Sequence, residues 1–214
     1  MNKLEFKHLP NLPIAHVKID KDKMEKIFNE CLNLKDHEVQ RFNTGISSYR
    51  TPAHFKMREC NQMLQEEVLG IGKVYQEQFD INSKNLTNTN NDLLIDASDI
   101  WVNYQKKGDY LPLHGHEGLL SWVLWVQIPY NIEDERLIDN NGKGGNGNTS
   151  CFAFNYSDIA CNLQSQIIPV SKKEEGTLLM FPSKLQHLCY PFYTSDGERI
   201  SISGNLKYRT EVVE

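Results

Sequence analysis

LPLHGHEGLLSW, residues 111–122, sets two histidines two positions apart, just ahead of an apolar run. In an extended chain the side chains at i and i+2 point to the same face, so a strand here projects His114 and His116 side by side. Two adjacent imidazoles repel once protonated, but as neutral rings they are a ligand pair for one metal ion. The apolar run itself, LLSWVLWVQI (119–128), is short and dominated by β-branched and aromatic residues, the pattern of a strand.

That pattern recurs on both sides. DIWVNYQ (99–105), SCFAFNY (150–156), SQIIPV (165–170), GTLLMFP (176–182), HLCYPFY (187–193) and RISISGNLKYR (199–209) are further short runs, most of them separated by turn signals. They predict a mainly β region over 93–210, an antiparallel sandwich or barrel. Upstream the period changes. IAHVKI (14–19) reads as a short strand. DKDKMEKIFNECLNLK (20–35) opens on an Asp start signal and has apolar residues at 24, 27, 28, 31, 32 and 34, which is helical spacing. A second helical pattern runs from Arg58 to Phe79, while 36–58 is polar and punctuated. Residues 1–92 are therefore expected to form an α-helical flank with a first strand, attached to the β core in one domain. Residues 131–149, first acidic and then rich in Gly and Asn, are expected to be a mobile loop outside the core and the candidate lid.

Composition narrows the class. With 39% hydrophobic and 24% charged residues in 214, the chain fits a single globular domain with a substantial core. A net charge of -5 supplies no basic field, which argues against general nucleic-acid binding. No apolar stretch reaches the ~20 residues of a membrane span, and the first residues lack the apolar segment of a secretion signal. Five cysteines without CxxC spacing exclude a zinc finger and suggest reduced thiols, hence a cytoplasmic setting.

A third histidine, His187, precedes another aromatic run seventy residues on. In a jelly roll such distant strands face one cavity, where His114, His116 and His187 could hold a borderline transition metal and leave positions open for other ligands. Arg199, Ser201 and Ser203 alternate onto one face of a later strand. An inward arginine needs a partner: either an internal Asp or Glu, or the carboxylate of a small ligand held by the guanidinium fork with Ser201 beside it. Trp101 and Asn103 share a strand face, and Asn205 continues the face of 199, 201 and 203. With Ser121 they are candidate pocket residues, although core packing serves the aromatic one as well.

GDYLPLHGHEGLLSWVLWV, GTLLMFPSKLQH and ERISISGN, in that order, resemble the iron(II)- and 2-oxoglutarate-dependent oxygenase superfamily, most of all a little-characterised H-x-H branch often found in phage genomes. The resemblance covers Asp99 to Tyr208. It implies a double-stranded β-helix, a cupin-like jelly roll, with the N-terminal helices buttressing its larger sheet. It implies Fe(II) held at His114 and His187, and 2-oxoglutarate gripped by Arg199 and Ser201. Dioxygen and a primary substrate of unspecified class complete the partners, and a phage-encoded enzyme would act in the host cytosol. The chain departs at one position: where the superfamily writes Asp or Glu, His116 stands. Glu117 is adjacent but offset onto the opposite strand face, and Asp109 is more remote. The expected activity is 2-oxoglutarate-dependent hydroxylation. A cupin-like three-histidine dioxygenase without 2-oxoglutarate and a non-catalytic jelly-roll binding protein are the alternatives.

Overall fold

The computed structural model of the protein describes residues 13–34, 53–79, 94–141 and 147–209. Among the described residues, ten strands fall into two antiparallel sheets. The larger runs β1 (Ala15–Lys18), β8 (Thr177–Pro182), β5 (Leu120–Gln127), β10 (Arg199–Arg209), β3 (Leu94–Gln105) and β2 (Ala53–Lys56). The smaller runs β4 (Leu111–His114), β9 (Gln186–Cys189), β6 (Phe152–Ser157) and β7 (Leu163–Ile168). Neighbours in each sheet come from distant parts of the chain, and the two sheets face each other across a shared core. This is the double-stranded β-helix.

Alternation decides what each face of the larger sheet does. Ile100, Val102 and Tyr104 of β3 and Ile200 and Ile202 of β10 pack outward against Ile27 and Cys31 of α1 (Lys21–Asn33) and Leu64, Val68 and Tyr75 of α2 (Asn61–Phe79). The intervening positions, Trp101, Asn103 and Gln105 with Arg199, Ser201 and Ser203, turn to the space between the sheets. The helices therefore cover one face and leave the other for the site. Asp20 caps α1 by accepting from the Asp22 and Lys23 N–H groups. Buried Glu30 accepts from the N–H groups of Arg58, Glu59 and Cys60 at 2.7, 3.0 and 2.6 Å, so one helix caps the approach to the next. Such a carboxylate satisfies helix-end donors and suits the positive end of the helix dipole.

Two expectations need correction. The stretch 131–149 contains a helix, α3 (Ile132–Asn141), with Ile132 and Glu135 buried; residues 142–146 lie outside the described residues. Its acidic first turn, Glu133, Asp134 and Glu135, complements the helix dipole. Glu135 is buried because it accepts from the Tyr193 and Thr194 N–H groups at 3.0 and 2.7 Å. Within 36–58, residues 53–56 form β2 against β3; Phe55, edge-on to Tyr104 at 5.3 Å, is the one apolar anchor of a strand too short to show a period.

Candidate metal centre

In the β4–β9 pairing His114 stands directly opposite His187, so sheet register alone places two imidazoles together. β4 ends at His114, and the chain bends through Gly115 to bring in the third. A Cβ at Gly115 would lie 2.6 Å from Gln186 Nε2, and the His116 N–H donates to the Ser183 carbonyl at 2.8 Å. That backbone bond fixes where His116 enters the cluster. Ring centroids are 4.3 Å apart for His114–His187 and 5.0 Å for each pair with His116. One ligand atom from each ring lies within 4.8 Å of the other two.

Second contacts orient two of the rings. His114 Nδ1 lies 2.6 Å from the Pro112 carbonyl and His187 Nδ1 2.9 Å from that of Leu185. A carbonyl only accepts, so Nδ1 carries the proton and Nε2 keeps its lone pair for a metal. Neither ring nitrogen of His116 is hydrogen-bonded among the described residues. Phe152, Phe154 and Phe181 surround His187. Burial lowers all three histidine pKa values, to about 4 for His116 and about 3 for His187, with the neighbouring His114 adding to each. Three neutral, converging imidazoles are a donor set for a divalent transition metal, so the residues present fit iron(II). Glu117 is exposed, Asp109 accepts from the Lys106 N–H, and neither belongs to the cluster.

The histidines open on a cavity of about 280 Å³ lined by both sheets. Arg199, 1% exposed, closes one end. Gln105 Oε1 accepts from Nε at 3.1 Å and Nη2 at 2.7 Å. Nη1 donates to Tyr130 Oη and the Ser150 carbonyl, and Nη2 also reaches Cys189 Sγ and the Tyr190 carbonyl. Every acceptor is neutral, and among the described residues no carboxylate is ion-paired to this buried charge. Ser150 presents its carbonyl from a left-handed conformation, φ 66°, and its buried hydroxyl has no partner among the described residues. Asn103 Nδ2 donates to Ser201 Oγ and Ser203 Oγ, and its Oδ1 accepts from Trp101 Nε1. Trp101, Asn103, Ser201 and Asn205 line the cavity, whereas Ser121, opposite Asn205 in the register, does not, its hydroxyl being bonded to Asn205 and Ser183. Gln105, Tyr130, Ser150 and Asp99 were not anticipated as site residues. Extending the 101, 103 alternation by one step would have found Gln105; for Tyr130 and Ser150 the sequence carries no local signal.

Fold and site define a double-stranded β-helix in which three converging histidines could hold a metal ion, beside a cavity that ends at a buried guanidinium. Residues 99–205 match the family model described as "Putative 2OG-Fe(II) oxygenase", half of the chain, and the protein belongs to that family. It is an iron(II)- and 2-oxoglutarate-dependent oxygenase, with 2-oxoglutarate and dioxygen as cosubstrates. No curated protein matches the sequence. Among solved structures, the fold is similar to a Pseudomonas putida prolyl-4-hydroxylase (14% identity, 92% of each chain covered, TM-score 0.56). It is also similar to a prolyl hydroxylase from Trichoplax adhaerens (14%, 92% of this chain and 84% of that one, 0.55) and to the carbocyclase SnoK of nogalamycin biosynthesis (11%, 94% and 83%, 0.57).

Proposed function

We propose that His114, His116 and His187 hold the iron, that Arg199 with Ser201 binds the distal carboxylate of 2-oxoglutarate, and that the enzyme hydroxylates its primary substrate. The observation that carries this is a fully buried guanidinium with no bonded carboxylate among the described residues, in the same cavity as three neutral imidazoles. A ligand carboxylate taking the place of the Gln105 carboxamide oxygen would exchange a neutral hydrogen bond for a charge-assisted one. When bound, iron and the 2-keto acid supply dioxygen activation and C–H oxidation, with 2-oxoglutarate converted to succinate and CO2. The chain's own work is to bind and orient. Sheet register sets two ligands, the backbone carbonyls of Pro112 and Leu185 fix their tautomers, and the aromatic wall of Phe152, Phe154 and Phe181 excludes water around His187. The absence of a carboxylate ligand leaves the 2-oxoglutarate dianion as the counter-charge to the metal. Hydroxylation is the activity in the names of two of the similar structures. A cytoplasmic setting belongs to the same reading, supported by five unpaired cysteines.

The test is an anaerobic titration. Protein with Fe(II) should develop a weak visible charge-transfer band when 2-oxoglutarate is added, and should release succinate once air and a substrate are admitted. Metal binding without the band would instead favour a three-histidine dioxygenase that does not use 2-oxoglutarate.

A further inference from the structure

The cavity is polarised along its length. Strands β3 and β10 pair Arg199 with Gln105 at one end and Asn205 with Asp99 at the other, six residues apart, or roughly 20 Å at about 3.3 Å per residue. Of the residues lining this cavity, Arg199 is the one permanent cation and Asp99 the one carboxylate. The Arg199 end is closed, while the Asp99 side chain is 31% exposed, so the mouth is at the acidic end. The metal ligands lie between: the His116 ring is 6.0 Å from that of Trp101, the next inward residue from Asp99 along β3.

Asp99 is only partly engaged. Its Oδ2 accepts from Lys207 Nζ at 2.9 Å, and its Oδ1 accepts no hydrogen bond among the described residues. The Lys207 side chain is 47% exposed, and an ion pair of this kind holds weakly and exchanges readily. Trp101 is buried, its indole N–H donating to Asn103, so a fixed aromatic ring stands next to Asp99 along the same inward face of β3. A carboxylate beside an indole is a receptor for an organic cation.

We propose that Asp99 is the recognition group for the primary substrate, and that this substrate presents an ammonium or guanidinium group at the cavity mouth. The proposal rests on the reading above, in which 2-oxoglutarate takes the Arg199 end and leaves the Asp99 end for the substrate. The Lys207 ammonium then acts as a stand-in for the substrate cation, displaced on binding. If instead the Asp99–Lys207 pair only staples β3 to β10, removing either partner should have the same effect, on stability alone.

The experiment uses the full chain loaded with Zn(II), a redox-silent stand-in for iron, and 2-oxoglutarate. Cationic probes are Nα-acetyl-lysine methylamide, Nα-acetyl-arginine methylamide and 1,5-diaminopentane; the neutral match is Nα-acetyl-norleucine methylamide. Binding is followed by NMR or calorimetry. At least one cationic probe should bind roughly tenfold more tightly than the neutral match, about the effect of one half-exposed charge contact. Asp99→Asn should remove that advantage, Lys207→Gln should strengthen cation binding several-fold, and both variants should keep wild-type affinity for 2-oxoglutarate. The lysine, arginine and diamine arms distinguish a polypeptide side chain from a free amine. Equal binding of the neutral probe, no effect of Asp99→Asn, or no cation binding at millimolar concentration would each overturn the proposal. The 2-oxoglutarate titration is done first and without probes, so its failure strikes the functional reading and is told apart from a failure at Asp99.

Discussion

Alanine at His114, His116 or His187 should each cost metal affinity well beyond the 10- to 100-fold typical of an outer contact, read by equilibrium metal binding; wild-type affinity in His116→Ala would transfer its role elsewhere. Burial also ties His187 to stability. Its folded pKa, about 3, lies below the ordinary unfolded value near 6.5, so in between the unfolded chain binds more protons and stability falls as pH drops. Metal-free protein should lose about 2 kcal/mol from this group between pH 7 and pH 5, and His187→Phe should remove that share of the dependence in urea unfolding at the two values. At the other end of the cavity, losing Arg199 should weaken 2-oxoglutarate binding by about 2–5 kcal/mol, with metal affinity kept. Because Arg199→Ala also strips partners from the Ser150 and Tyr190 carbonyls, the cleaner variant is Gln105→Glu. It is nearly isosteric, costs one donor to the Asp109 carbonyl and places an internal carboxylate in the fork, so 2-oxoglutarate affinity should collapse with a smaller loss of stability than in Arg199→Ala; unchanged affinity by calorimetry would put the anchor elsewhere. The histidine pair was legible because its spacing matches strand alternation, and Arg199 because a charge in an alternating apolar strand demands an explanation. The cage around Arg199 was not, since a Tyr, a Ser carbonyl and a Cys become partners only through chain crossings that no local pattern records.

Among the elements, β10 is the one whose tolerances are tightest, because it lies between β5 and β3 and carries both Arg199 and Ser201. Gly204 sits opposite Trp122, and a Cβ there would meet the indole at 2.7 Å and the Asp99 carbonyl at 2.8 Å. Gly204→Ala should therefore destabilise by about 1–3 kcal/mol or more through overpacking, seen as a lower unfolding midpoint. The helix α3 makes a different point. Its Glu135 satisfies donors in the loop after β9, the loop whose Tyr190 carbonyl accepts from Arg199. Glu135→Ala should cost about 1–3 kcal/mol for each stranded N–H and weaken 2-oxoglutarate binding indirectly, while Glu135→Gln should keep part of both. Most strands of the β core were legible as elements because each is a short β-branched and aromatic run between turns, whereas β2, AHFK, was not. Helix α3 was not, because a buried, hydrogen-bonded carboxylate has the same sequence signature as a solvated one.

At the scale of the whole molecule, a site built from distant parts of the chain exists only in the folded state, and 2-oxoglutarate reaching from the histidines of the smaller sheet to Arg199 on β10 would tie the two sheets together. Saturation at 100 times the dissociation constant should add about 2.7 kcal/mol per ligand, and the thermal midpoint should rise stepwise, with the 2-oxoglutarate step requiring metal. No described helix is long and apolar enough to cross a membrane. The placement of thiols across the molecule carries a consequence for an enzyme that handles dioxygen. Cys31, Cys60, Cys151 and Cys189 are buried, and Cys161 is exposed. Cys189 is the one beside the reaction cavity, 3.0 Å from Arg199, where a guanidinium would ordinarily favour the thiolate. Burial outweighs that charge and pushes the thiol pKa up, and it is the thiolate that oxidants attack. The sulfur nearest the chemistry is thus kept in its inert form. Oxidation should fall instead on exposed Cys161, at the turn between β6 and β7, where a sulfenic acid would leave the Arg199 cage untouched.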